Sequence, residues 1–159
     1  MDRRMLRISK LTDYATVILA SLTAGVLTSA AEIAERTRIG LPTVSKLLKE
    51  LQHAGLVDSV RGARGGYRLA RAPALISAAD IIDAVEGPVA LTECAGDDGH
   101  CGIEATCQVG QRWQQVSLAI RSALAALSLD DLLTHTGQFD PPDLRQASAG
   151  TAWRPLVRS

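Results

Sequence analysis

Three observations predict a mainly α fold, a winged helix-turn-helix with a two-stranded wing and a long C-terminal helix. Two short segments with apolar residues at helical spacing meet at the tight turn Arg38-Ile39-Gly40. Two strand-like runs follow at once, joined by the basic, glycine-rich stretch Arg61-Gly62-Ala63-Arg64-Gly65-Gly66. Aromatic residues make up only 3% of the 159 residues, so the core must be built from Leu, Ile, Val and Ala.

The elements follow in order. Met1 to Arg4 is a charged, frayed extension. The first helix starts near Ser9 or Thr12, either of which can cap it, and runs to about Ala24. Leu11, Tyr14, Ile18 and Leu22 form one stripe, while Val17, Leu19 and Ala20 fill the other sides. A helix apolar on nearly all sides is expected to be buried on more than one of them, in part by a partner subunit. The second helix opens on the capping box Ser29-Ala30-Ala31-Glu32 and reaches about Thr37. Pro42 suits the first turn of the third helix, where its missing N–H costs nothing, and Gly55 marks the stop. Val44, Leu47, Leu48 and Leu51 form that helix's inner stripe; Thr43, Ser45, Lys46 and Lys49 lie off it.

Leu56–Val60 and Tyr67–Ala70 read as the strands of the hairpin. Ser77 caps a fourth helix that buries Ile81, Ile82 and Val85 and stops at Gly87-Pro88. The fifth helix spans about Gln111 to Leu127, with Trp113, Val116, Ile120, Ala123, Leu124 and Leu127 on one face. That face suits dimerisation, packing against the first helix, or both. A last short helix starts at Ser128 and runs through Leu133, and from His135 onward no periodicity remains, as in a disordered tail.

The charge is split along the chain although its net value is zero. Residues 1–71 carry 12 Lys/Arg against 6 Asp/Glu, and residues 72–159 carry 5 against 11. A basic half with a helix-turn-helix and a basic hairpin is the footprint of a double-stranded DNA binder. Thr43, Ser45, Lys46 and Lys49 would meet the major groove. Arg61, Arg64 and Arg68, with Gly65 and Tyr67 beside them, would meet phosphates or a narrow minor groove. The division expected is a DNA-binding domain at 5–87, a cysteine loop at 88–110, a dimerisation helix and short terminal helix at 111–134, and the tail at 135–159. The apolar run Tyr14–Leu27 is too short for a membrane span, and its flanking capping box argues against a signal peptide, so a cytoplasmic protein with no membrane partner is expected. No nucleophile–base pattern or phosphate loop points to an enzyme.

All three cysteines, Cys94, Cys101 and Cys107, fall in CAGDDGHCGIEATC, with Gly96, Gly99 and Gly102 between them. Three thiolates on one glycine-rich loop suit an iron–sulfur cluster or zinc. Both take four ligands, so a fourth must come from elsewhere.

The sequence resembles the bacterial winged-helix regulators that sense or carry iron–sulfur clusters, among them the isc- and suf-operon regulators and the nitric-oxide-sensitive repressors. The resemblance covers about Met5 to Leu133. It rests on RISKLTDYA, GLPTVSKLLKELQHAGLV, VRGARGGYRLA and DIIDAVEGPVALTEC, and is nearest to the suf-operon group. It implies a homodimeric, DNA-binding repressor of cluster-assembly genes that senses its own 2Fe–2S or 4Fe–4S cluster, held by Cys94, Cys101 and Cys107. Isc-type members space their cysteines five and five and place a histidine three residues after the last; here the first gap is six and Gly110 stands at that place. The nitric-oxide-sensitive members carry an aspartate matching Asp13, which completes a 4Fe–4S cluster across the dimer, and Asp13 of the partner subunit is accordingly the candidate fourth ligand. Asp13 is also the one acid in a helix expected to be buried, where a carboxylate needs a partner or a metal; the alternative is that it only complements the helix dipole. His100 is the rival ligand. Two other readings stand beside the regulator: a winged-helix protein with a structural zinc site, and an iron–sulfur carrier whose basic half binds an acidic protein.

Overall fold

The computed structural model describes residues 8–23, 25–88 and 108–134. Helix α1 (Lys10–Ser21) is capped by Ser9, whose side chain accepts from the Thr12 amide. Helix α2 (Ala30–Thr37) opens on the expected capping box, with the Glu32 carboxylate accepting from the Ser29 amide at 2.8 Å and the Ser29 hydroxyl accepting from the Glu32 amide at 3.2 Å. The Ser29 amide, and the Ser29 hydroxyl that donates to the same carboxylate oxygen at 2.8 Å, hold the Glu32 carboxyl below its usual pKa. Helix α3 (Leu41–His53) has Pro42 in its first turn. Strands β1 (Val57–Val60) and β2 (Gly66–Leu69) pair antiparallel, with Val57 opposite Leu69 and Asp58 opposite Arg68. A 3-10 turn, Pro73–Leu75, leads to α4 (Ala78–Glu86). Helix α5 (Gln108–Ala125) and the short α6 (Leu129–Leu133) follow.

One core joins these elements. Ala15, Ile18, Leu19 and Leu22 of the first helix and its end meet Ile33 of α2, Val44, Leu47, Leu48 and Leu51 of α3, and Ile81 of α4. Leu56, Val57 and Ile76 extend it under the hairpin, and Leu129 at the start of α6 closes it with no exposed surface. Removing such side chains from water is the main favourable term in holding a small helical unit together.

Two connections could not be anticipated from local pattern. Thr28, in the α1–α2 loop, bridges to β2: its amide donates to the Tyr67 carbonyl at 3.0 Å and the Tyr67 amide donates back at 2.8 Å. A second bridge joins Ser77 and Ser128, the N-caps of α4 and α6. There the Ala78 amide donates to the Leu127 carbonyl and the Leu129 amide to the Ile76 carbonyl, both at 2.7 Å. Helix α5 is tied to α4 by a two-pronged ion pair between the Arg121 guanidinium and the Asp83 carboxylate.

Within this one chain α1 is buried on its inner side, while Asp13 is exposed and Val17 is 41% exposed. An apolar stripe records what prefers to leave water, not what this one chain covers. Trp113 and Val116 of α5 are likewise exposed, as is Leu118, and within the described part of that helix only Ser117 is buried. Met1 to Arg4, the three cysteines, His100 and the tail from His135 lie outside the described residues. No helix among the described residues is long and apolar enough to cross a membrane.

Candidate nucleic-acid interface

Helix α3 divides cleanly between two faces. Val44, Leu47, Leu48 and Leu51 are fully buried, which turns Pro42, Lys46, Lys49 and His53 outward along one exposed stripe at three- and four-residue spacing. Ser45 borders this stripe on one side and Thr43 on the other, both half-buried. Lys46 is 3.9 Å from the Glu50 carboxylate one turn on, a loose exposed pair worth a few tenths of a kcal/mol. Its ammonium therefore stays available to a stronger anion.

The hairpin is held to this helix as one body. Helix α3 ends at Ala54-Gly55, with Gly55 at φ +72°, and the chain turns directly into Leu56 and β1. Gln52 Nε2 donates to Ser59 Oγ at 2.9 Å, fixing the end of the helix to the strand. The wing tip carries Arg61 and Arg64, both exposed and neither in an ion pair with another described residue. Arg68 is exposed on β2 but stands directly across the ladder from Asp58, which offsets part of its field.

Gly65 and Tyr67 have structural duties that the sequence pattern did not reveal. A Cβ on Gly65 would lie 2.1 Å from the Val60 carbonyl oxygen, so the tip can close only with glycine there. Tyr67 packs against the core and pairs through its backbone with Thr28. Both act on the wing's shape before they act on any ligand.

The metal-ligand candidates separate differently. Among the described residues, no group of three or more His, Cys, Asp or Glu is placed to hold a metal. Cys94, Cys101 and Cys107 fall outside those residues. Asp13 stands on the exposed side of α1, its carboxylate in no hydrogen bond with another described residue. The acid at this end of the molecule that does have a built environment is Glu86, the last residue of α4. Its Oε1 accepts from the Ser9 amide at 2.8 Å and from the hydroxyl of buried Thr12. Partial burial pushes the Glu86 carboxyl up, but the hydrogen bonds from Thr12 and Ser9 outweigh it and leave its pKa below the ordinary value. No sequence pattern marks this contact, because its partners lie more than seventy residues upstream.

Comparison with known proteins agrees with the geometry. A family profile for Rrf2, described as an iron-dependent transcriptional regulator, matches residues 8–135. A protein of Azotobacter vinelandii named as an HTH-type transcriptional regulator, ORF2, is 38% identical over 122 residues, covering 77% of this chain and 74% of that protein. The HTH-type transcriptional regulator IscR of Xenorhabdus nematophila is 37% identical over 113 residues, 71% of this chain and 68% of IscR. Among solved structures, CymR, the global cysteine regulator of B. subtilis, superposes with a TM-score of 0.62 at 31% identity, over 84% of this chain and all of CymR. All three are regulators, and none is an enzyme.

Proposed function

We propose, since this chain belongs to the Rrf2 family of transcriptional regulators, that it is a homodimeric repressor of iron–sulfur cluster assembly genes whose operator affinity follows its own cluster. The observation that carries the DNA-binding part is the rigid pairing of two polar surfaces: the outward stripe of α3 and the arginine-bearing wing tip, joined by Gln52 and Ser59. Thr43, Ser45 and Lys46, in the first half of α3, are the residues that reach base edges when that helix enters the major groove, and Lys49 lies along the backbone. Arg61 and Arg64 extend to phosphate or minor groove beside the site, with Arg68 contributing less because Asp58 opposes it. Two copies related by a two-fold axis read a near-palindromic operator. Trp113 and Val116, exposed and three residues apart on one side of α5, support that pairing.

The cysteine segment supports the sensing part through its donor chemistry. Cys94, Cys101 and Cys107 would hold the cluster, and Asp13 of the partner subunit would complete the set. Exposure of Asp13, free of hydrogen bonds to other described residues, leaves its carboxylate available to a group outside its own chain. When bound, the cluster would supply a redox- and oxygen-sensitive centre. The protein's own part is to hold the segment's two flanks: Glu86 pins the end of α4 to Ser9 and Thr12, next to Asp13, and Asp83 pins α4 to α5 through Arg121.

The test is an anaerobic preparation assayed for visible absorbance, iron and sulfide, then titrated onto duplexes selected by the protein from a random-sequence library, before and after cluster removal. A coloured protein whose operator affinity changes on cluster loss is the expected result. Each of Cys94→Ser, Cys101→Ser and Cys107→Ser should abolish the colour and leave a folded protein. Asp13→Ala should change the cluster's spectrum or lifetime in air where His100→Ala does not. Stoichiometric zinc without iron or sulfide would sink the sensing reading and leave a structural metal site.

A further inference from the structure

The turn between α2 and α3 contains the one backbone irregularity among the described residues that no glycine explains. Arg38, the C-cap of α2, sits in the left-handed region at φ 58° and ψ 24°, and it is the single non-glycine residue there with positive φ. L-residues enter this region against a clash between Cβ and backbone, which is why glycine, or failing that asparagine, is favoured just past a helix end. The turn leaves no freedom to escape it. Ile39 is buried in the core, the Ile39 amide donates to Thr37 Oγ1, and Gly40 must then start α3. A residue that strains the backbone is retained when its side chain has another use. Packing is not that use, because Arg38 is exposed. Intramolecular pairing is not that use either, because Arg38 makes no ion pair with any other described residue.

We infer that Arg38 is a DNA-backbone contact, a guanidinium held at the corner of the helix-turn-helix to bind a phosphodiester beside the groove that α3 enters. The inference rests on the DNA-binding reading above and adds to it a residue outside the α3 stripe and the wing. When a second helix lies in the major groove and the first crosses the backbone, the turn between them rides on the sugar–phosphate wall. A planar guanidinium there matches two phosphate oxygens, whereas glycine or asparagine would ease the backbone and bring no charge. Arg38 then stands just before the first turn of α3, and Arg61 and Arg64 lie on the hairpin that follows its last. Cationic residues thus continue past both ends of α3.

The experiment compares Arg38→Gly and Arg38→Lys with the unaltered protein. The probes are a library-selected duplex and a mixed-sequence duplex of the same length, each titrated over a range of salt. Arg38→Gly should raise the Tm by roughly 2–8 °C, since strain is relieved against a smaller entropy cost. It should weaken binding to both duplexes by a similar factor, about three- to tenfold at low salt, and reduce the slope of log K against log salt by about 0.9. Arg38→Lys, which keeps the charge but loses the two-pronged match, should keep the salt slope of the unaltered protein and bind with an affinity between that protein and Arg38→Gly. Unchanged affinity and slope in Arg38→Gly would overturn the inference, as would a loss confined to the selected duplex, which marks base reading. An unaltered protein that binds neither duplex in a salt-dependent way would overturn the DNA-binding reading itself, and this inference with it.

Discussion

Replacing Gly66 by alanine tests how the wing is fastened to the body of the molecule. Gly66 opens β2, and a Cβ built on it would lie 2.9 Å from the backbone N, C and O of Thr28. These are backbone atoms of a buried residue, not the loose end of a side chain, so they must retreat by about 0.5 Å to reach ordinary contact. The retreat pulls against the reciprocal Thr28–Tyr67 bonds of 3.0 and 2.8 Å. Weakening two backbone bonds at about 0.5–1.5 kcal/mol each, together with overpacking of about 1–3 kcal/mol, gives an expected loss of about 2–6 kcal/mol. In a folded unit of this size that lowers the Tm by roughly 10 °C or more. Gly25→Ala is the control: it lies in the same loop at φ +71° with nothing within 4 Å, so it bears the conformational cost alone, about 1 kcal/mol. Thermal unfolding followed by circular dichroism gives the stabilities, and hydrogen exchange at the Tyr67 amide reports the bridge. Gly66→Ala should lose Tyr67 protection and Gly25→Ala should keep it. If Gly66→Ala melts no lower than Gly25→Ala with Tyr67 still protected, the steric argument is wrong.

Other expectations follow from the same structure. Glu86→Gln should cost about 1 kcal/mol at neutral pH, the worth of a charge-assisted bond discounted for exposure. Because the folded pKa of Glu86 lies below 4.5, the stability gap between the two proteins should be complete above that pH and narrow as the pH falls below it; a gap that does not vary with pH through the acid range would contradict this. Leu129→Ala should cost about 2–5 kcal/mol in denaturant titration despite its place in a five-residue helix, because the side chain is fully buried; a loss under 1 kcal/mol would show that α6 does not close the core. Arg61→Ala/Arg64→Ala should weaken binding to every duplex and lower the salt slope by about 2, with unchanged thermal stability; an unaltered slope would remove the wing from the interface.

Most of the fold was legible because its boundaries are chemical. Ser29, Ser77 and Ser128 are N-caps in the structure as in the sequence, Ser9 and not Thr12 caps the first helix, and Pro42 sits in the first turn it suits. The four-residue strands fall within a residue of the runs read from hydropathy and turn residues. The 3-10 turn Pro73–Leu75 was missed, since three residues carry no period. Helix α5 starts at Gln108 and not Gln111, and ends at Ala125 and not Leu127; polar first-turn residues gave no stripe to locate its beginning. In the site, the outward set on α3 was legible because the inner stripe dictates it. Gly65 looked like a phosphate contact from its neighbours, and only the 2.1 Å approach to Val60 shows its packing role. Glu86 and the Thr28–Tyr67 bridge were invisible in principle: each joins residues far apart in the chain, and no local rule pairs them. Arg38 was passed over as an ordinary turn residue because φ is not written in its side chain.

The clasp between α4 and α5 has a consequence for the chain that runs from one to the other. Asp83 and Arg121 meet, and the Ser77–Ser128 bridge brings the two regions together a second time, so residues 88 and 108 are tethered by contacts outside the stretch between them. The cost of closing a loop is set by bringing its ends together, and grows only as about (3/2)RT ln n with its length. Here that cost is met by the helices, before any ligand arrives. A metal centre formed by Cys94, Cys101 and Cys107 would then spend none of its binding free energy on gathering the two ends. Losing such a centre would leave the contacts between α4 and α5 in place. The elements that carry the reading helix and the wing would stay assembled through every turnover of the cofactor.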